Sequence, residues 1–298
     1  MKNKYILEYI DYLTYQKKYS INTTKLYHEN ILEFYEYIDC DNNKLLNISY
    51  DDIKKYLEFL DNKKLSSASI SNKISSLRSF YKYLVRKGYA KLNAFSLISS
   101  PKKSQKLPKF MYSDELNQIF EQNDLDTPLG IRNRLIFELL YATGMRVSEL
   151  THIEIKNIDM KEHTIKVFGK GSKERITYFG EYALEYLEKY LKESRPRLMK
   201  KSHDYLLVNN RGERISERGI ALIIDNTIKK TAINKKISPH IFRHTFATDM
   251  LNAGCDILTV KELLGHESLK ATQIYTHVTN EHLKEVYFKS LPRSKKKD

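Results

Sequence analysis

The sequence predicts a mainly α-helical protein with a small antiparallel β-sheet, divided into two domains. Three observations predict it. The 298 residues fit about two domains of roughly 150 residues each. Apolar residues recur at helical spacing through most of the chain and alternate at strand spacing only around residues 163–179. Between two helical stretches, Leu97–Phe110 reads LISSPKKSQKLPKF, with two prolines, three serines and four lysines, a composition that sustains neither helix nor strand. The expected parts are a helical domain over 1–96, a linker over 97–110 and a second domain over 111–298.

In the first domain Ile6, Ile10 and Leu13, then Leu26, Ile31, Phe34 and Tyr35, then Ile53, Tyr56, Leu57 and Leu60 mark the inner sides of successive helices. A further helix runs from Ser66 and stops at Gly88, with Ile70, Ile74, Leu77, Phe80, Tyr81 and Leu84 facing inward. Its polar side carries Asn72, Lys73, Arg78 and Lys82 among serines. Small and basic side chains on one helix face suit a DNA groove and its phosphates; an ordinary solvated face is the alternative.

The second domain starts near Met111, with Ser113 expected to cap a helix continued by DELNQIF. IRNRLIFELLYATG is another helix, closed by Gly144. HTIKVF and RITYF, joined by GKGSKE, form a predicted β-hairpin. Ile165 and Val167 on one strand and Ile176 and Tyr178 on the other are expected to face inward. A short strand at Tyr205–Val208 is a candidate to join the hairpin. After Ser238 the chain reads as mostly helical, with no repeat at solenoid spacing.

Composition narrows the function classes. The net charge is +14, which points to a polyanionic partner. Residues 1–100 hold 16 Lys and Arg against 11 Asp and Glu, and the remainder 35 against 26, so both parts are basic. No run reaches the roughly 20 apolar residues of a membrane helix, and MKNKYILEYIDYL lacks the pattern of a signal peptide; the expected location is the cytoplasm, with no membrane partner. Cys40 and Cys255 are the only cysteines and the nine histidines show no zinc spacing. Chemistry without a metal is therefore expected.

Several places gather groups suited to a phosphate. Ser238-Pro239 is a helix start, and His240 and Arg243 lie three apart on the helix that follows, with His244 one turn from His240. Arg146 stands at the break after Gly144, in YATGMRVSEL, where pairing with Glu149 is the plain alternative. Lys170 sits between Gly169 and Gly171 at the hairpin tip, where a flexible lysine can carry a proton; an ordinary polar turn is the alternative. His266 follows Gly265, and Tyr275 lies nine residues on.

Taken in order, Arg146, the glycine-flanked Lys170, the H-x-x-R of His240 and Arg243, the G-H of His266 and the final Tyr275 resemble the signature of the tyrosine site-specific recombinases, the phage integrase family. The chain is most similar to the Xer recombinases, over nearly its whole length, including LPKF, YATGMRVSEL and HIFRHTFATDML. The resemblance implies a two-domain DNA clamp, with a helical core-binding domain and a tyrosine-recombinase catalytic domain. It implies that Arg146, Lys170, His240, Arg243 and His266 surround the scissile phosphate and that Tyr275 is the nucleophile. The roles match the residue types: arginines for the gathering negative charge, Lys170 as general acid, His240 as general base, His266 on a phosphate oxygen. A 3′-phosphotyrosine intermediate would keep the energy of the broken bond, so no cofactor, ATP or metal is expected. The implied partners are double-stranded DNA with paired half-sites and a homo- or hetero-tetramer on two sites. A second related recombinase and a DNA translocase remain open as further partners.

The expected task is Xer-type resolution of chromosome dimers. The alternatives are an integrase of a phage or conjugative element and, from another class, an inactive DNA-binding protein. The C-terminal helix from Asn280 is expected either to dock on a neighbouring subunit or to pack on its own domain. The stretch Leu291-Pro292-Arg293 departs from the His-Pro-Arg-like ending frequent in Xer proteins.

Overall fold

The structure, a computed structural model, describes residues 3–99, 110–169, 174–265 and 280–295. The chain divides into two compact units, Met1–Lys106 and Leu107–Asp298. Among the described residues no helix is long and apolar enough to cross a membrane.

The first unit is helical throughout. α1 (Lys4–Asp11) runs into a π-helical turn, followed by α2 (Ile21–Tyr37), α3 (Asn42–Leu46), α4 (Tyr50–Asn62), α5 (Ser67–Arg86) and a 3₁₀ turn over Ala94–Leu97. Each α-helix opens on a side-chain oxygen that accepts a first-turn N–H: Asn3, Ser20, Asp41, Ser49 and Ser66. All six apolar residues expected on the inner side of α5 are buried. Leu26, expected inside, is 44% exposed. Tyrosines do much of the filling. Tyr9 and Tyr81 are fully buried, and their hydroxyls donate to Ser79 Oγ (2.8 Å) and the Leu45 carbonyl (2.7 Å), as buried phenols require. Two residues past α5, Gly88 takes a φ of +74°. Phe95 and Ile98 are buried in this unit.

The second unit is built around α7 (Pro128–Thr143), which is buried on nearly all sides. Thr127 caps it, Pro128 opens its first turn, and Gly144 closes it in the left-handed region. Ahead of it, α6 (Ser113–Glu121) is capped one residue earlier than expected. Tyr112, not Ser113, is the N-cap, and its N–H donates to the Glu115 carboxylate (2.8 Å). After α8 (Val147–Thr151) comes an antiparallel sheet of order β1 (Ile158–Asp159), β2 (Thr164–Phe168), β3 (Glu174–Tyr178). Tyr205–Val208 does not join it: Tyr205 and Val208 make isolated bridges to Glu154 and Arg214. α9 (Glu181–Lys189), α10 (Arg195–Leu198), α11 (Glu217–Ile228), α12 (Pro239–Asn252), α13 (Ile257–Leu264) and α14 (Asn280–Ser290) complete the unit.

The hairpin forms with a different inner face on β3. Ile165 pairs with Thr177 and Val167 with Arg175, and directly opposed residues share a face. Thr177 and Arg175 therefore lie with the buried Ile165 and Val167, while Ile176 is 40% exposed. Tyr178, on the Ile176 side, is buried under α14: its hydroxyl donates to the Asn280 carbonyl (2.8 Å) and its ring packs on Tyr287. α14 packs on its own domain in this chain, with Leu283, Tyr287 and Leu291 in the core. Arg293 fastens the segment beyond it, donating to the buried Glu138 carboxylate (2.7 Å) over the rings of Phe120 and Tyr182.

Candidate active site

The site forms where α7 ends. A Cβ at Gly144 would lie 2.7 Å from Phe246 Cδ1 and 2.8 Å from Leu264 Cδ2, so only glycine lets α12 and α13 close on this turn at a φ of +56°. Two residues on, Arg146 is the N-cap of α8. Its N–H donates to Glu149 Oε2 (2.7 Å) and its Nη1 to Glu149 Oε1 (3.0 Å), with the arginine side chain 38% exposed. The expected alternative of pairing with Glu149 is thus realised, with the side chain still part-exposed.

Arg243 enters from the second turn of α12 and is 8% exposed. Its Nη1 donates to the Gly144 carbonyl and its Nη2 to the Leu264 carbonyl, both at 2.7 Å. These carbonyls close α7 and α13, where the helix dipole concentrates negative charge. Burial pushes the Arg243 guanidinium down to about 10, the positive charge of Arg146 adding to the effect, Glu149 opposing it and Arg175 adding again. It stays charged at neutral pH. His240, one turn earlier on α12, is exposed, and His244 is half-buried. Ser238 starts α12, but its hydroxyl makes no capping bond; Pro239 alone stiffens the first turn.

Arg146, Arg243 and the helix bearing His240 are therefore brought together. Lys170, His266 and Tyr275 lie outside the described residues. Sequence reasoning missed Arg175, whose Nη2 donates to Glu149 Oε2 at 2.9 Å. The observed register turns it inward, opposite Val167. Among the described residues no three metal-ligating side chains cluster. Burial pushes the Cys255 thiol up to about 11, which makes it an inert thiol at neutral pH.

On α5, Asn72 and Lys82 are exposed. Lys73 is engaged with Glu33 and Asn30. Arg78 donates from Nε to the Phe95 carbonyl (3.0 Å) and from Nη2 to the Ile98 carbonyl (2.6 Å); it ties the end of the unit to α5 instead of lying open on the surface.

Residues 109–282 match the Phage integrase family, and residues 6–88 match its N-terminal SAM-like domain. A tyrosine recombinase XerC of Anoxybacillus flavithermus is 47% identical over 290 residues, covering 96% of this chain and 97% of its own. A tyrosine recombinase XerC of Staphylococcus saprophyticus is 44% identical, covering 97% and 98%. Among solved structures, XerA recombinase is 31% identical over 96% of this chain and 97% of its own, with a TM-score of 0.51. XerH site-specific recombinase in a pre-cleavage complex with difH substrate is 26% identical over 89% and 78%, with a TM-score of 0.67. The chain belongs to the phage integrase family and, within it, to the Xer-type site-specific tyrosine recombinases.

Proposed function

We propose that this recombinase cuts and rejoins double-stranded DNA at paired half-sites through a 3′-phosphotyrosine on Tyr275, and that its cytoplasmic task is the resolution of chromosome dimers. The observation that carries the reading is the placement of Arg243. A charged guanidinium is held in a buried position by two helix-end carbonyls, beside the part-exposed Arg146 and one helical turn from His240. Preorganised positive charge of this kind suits the non-bridging oxygens of a phosphodiester under attack.

In the cleavage step the Tyr275 hydroxyl oxygen bonds to phosphorus and the bond to the 5′-oxygen breaks. His240 takes the phenolic proton, and Lys170 gives a proton to the departing 5′-oxygen. Arg146 and Arg243 stabilise the charge on the phosphate oxygens, and His266 bonds one of them. A phenol near pKa 10 is a poor nucleophile until its proton is removed. A 5′-hydroxyl of the partner duplex then reverses the step, so two duplexes exchange strands. Two duplexes offer four scissile phosphates, which calls for a tetramer of this chain alone or with a related recombinase.

Genome-wide capture of covalent protein–DNA adducts, wild type against Tyr275→Phe, tests the reading. The expected result is a Tyr275-dependent adduct at one chromosomal locus with paired half-sites. Adducts at the ends of a mobile element would replace the chromosomal role with integration. An adduct that persists in Tyr275→Phe would overturn the assigned nucleophile.

A further inference from the structure

We propose that Arg175 is a positioning residue of the strand-cleavage site, holding Glu149 in place for Arg146 and fixing the end of α13 through its contact with Gly265. The proposal rests on the reading of the site given above.

Arg175 is a charged residue on the inward face of β3. Its partner across the hairpin is the buried Val167, and its neighbour on the same face is the buried Thr177. Burial pushes its guanidinium below the usual arginine range, with Glu149 opposing and Arg146 adding to the effect. Two of its nitrogens, Nε and Nη1, are buried without an acceptor among the described residues. Replacing a buried ion pair by apolar residues is commonly neutral or stabilising. What the arginine supplies instead is geometry.

Its contacts join the parts of the site. Nη2 donates to Glu149 Oε2 at 2.9 Å, the oxygen that also accepts the Arg146 N–H. Its other edge lies on Gly265, where a Cβ would stand 2.5 Å from Nε and 2.6 Å from Cδ. Leu264, the residue before, gives its carbonyl to Arg243. Arg175 and Arg243 thus bracket the last turn of α13, immediately ahead of His266. Two residues along β3, Thr177 donates to the Thr143 carbonyl (3.2 Å), so the same strand is tied to the end of α7 that leads to Arg146. Without Arg175, Glu149 would keep Arg146 as its sole described ionic partner, and the end of α13 would lose its support.

The test uses the full-length chain and a nicked duplex carrying the site captured from wild type. Wild type, Arg175→Met, Arg175→Lys, Glu149→Gln and the Arg175→Met/Glu149→Gln pair are compared for the single-turnover cleavage rate and for duplex Kd. Arg175→Met is expected to cleave about 10- to 100-fold more slowly, the range that a small misplacement of reacting groups produces, with Kd within about twofold. Arg175→Lys, which keeps the charge without the planar fork, is expected to regain part of the rate. The double variant is expected to be no slower than the slower single one, the pattern of residues acting as a unit. A merely structural role would impair rate, DNA affinity and melting temperature in parallel, and that outcome overturns the proposal. An unchanged Arg175→Met rate on a duplex that wild type cleaves overturns it alone. No wild-type adduct on that duplex would overturn the underlying reading as well.

Discussion

Arg243→Ala is the substitution with the largest consequences. In the native chain its guanidinium closes two helix ends at once, with bonds of 2.7 Å to the Gly144 and Leu264 carbonyls. Hydrogen bonds from a charged donor contribute about 1.5–3 kcal/mol each, so the two together contribute about 3–6 kcal/mol. The variant recovers part of this, because the native protein carries the desolvation evident in the depressed guanidinium pKa. A net loss of about 2–4 kcal/mol follows. The chain contains no tryptophan, so denaturant unfolding is followed by far-UV circular dichroism. Cleavage is read on folded protein below the transition, where loss of one charge-stabilising donor is expected to slow the step by about 10²–10³-fold. Arg243→Lys should fall between, since one ammonium cannot reproduce the fork across both carbonyls. An Arg243→Ala protein that unfolds at the wild-type midpoint would refute the bridging role, and one that cleaves at the wild-type rate would refute the phosphate role.

Further substitutions probe other parts of the account. Gly144→Ala should destabilise the second unit by about 1–3 kcal/mol in the same unfolding measurement, because the new methyl meets Phe246 and Leu264 below 3 Å at a positive φ. On α5, Arg78→Ala should lower the stability of the first unit by about 1–3 kcal/mol through the freed Phe95 and Ile98 carbonyls. Lys82→Ala should leave stability unchanged and reduce the salt slope of DNA binding by about one; an unchanged slope would remove Lys82 from the interface. The Cys255 thiol, raised to about 11 from an ordinary 9.0, binds its proton more tightly in the folded chain than in the unfolded one. It therefore contributes a loss of stability as pH rises from 9 to about 11. Cys255→Ala should lose less over that window than wild type, and parallel curves would contradict the assignment.

The parts of the site that the sequence made legible are those that local rules govern. Gly144 and Gly265 stop their helices because the left-handed turn is within reach of glycine, and Arg146 and Arg243 were visible through their spacing from such breaks and from Pro239. The inward side of α5 followed from periodicity alone. What escaped depends on pairings between distant segments. The length of the connection does not fix the hairpin register, so alternation alone turns Ile176 inward and Arg175 outward, whereas pairing with Val167 reverses both. Arg78 looked like a surface cation because its acceptors, Phe95 and Ile98, lie 17 and 20 residues away. Tyr112 displaced Ser113 as the cap because the Glu115 carboxylate reaches back to its N–H.

The central claim is that Tyr275 carries the broken strand. Wild-type protein is incubated with the captured nicked duplex, digested, and its DNA-linked peptide is sequenced by mass spectrometry. The account predicts a single adduct on the Tyr275 phenolic oxygen, linked to a 3′-phosphate and absent from Tyr275→Phe. An adduct on any other residue, or cleavage without a protein–DNA bond, would contradict it.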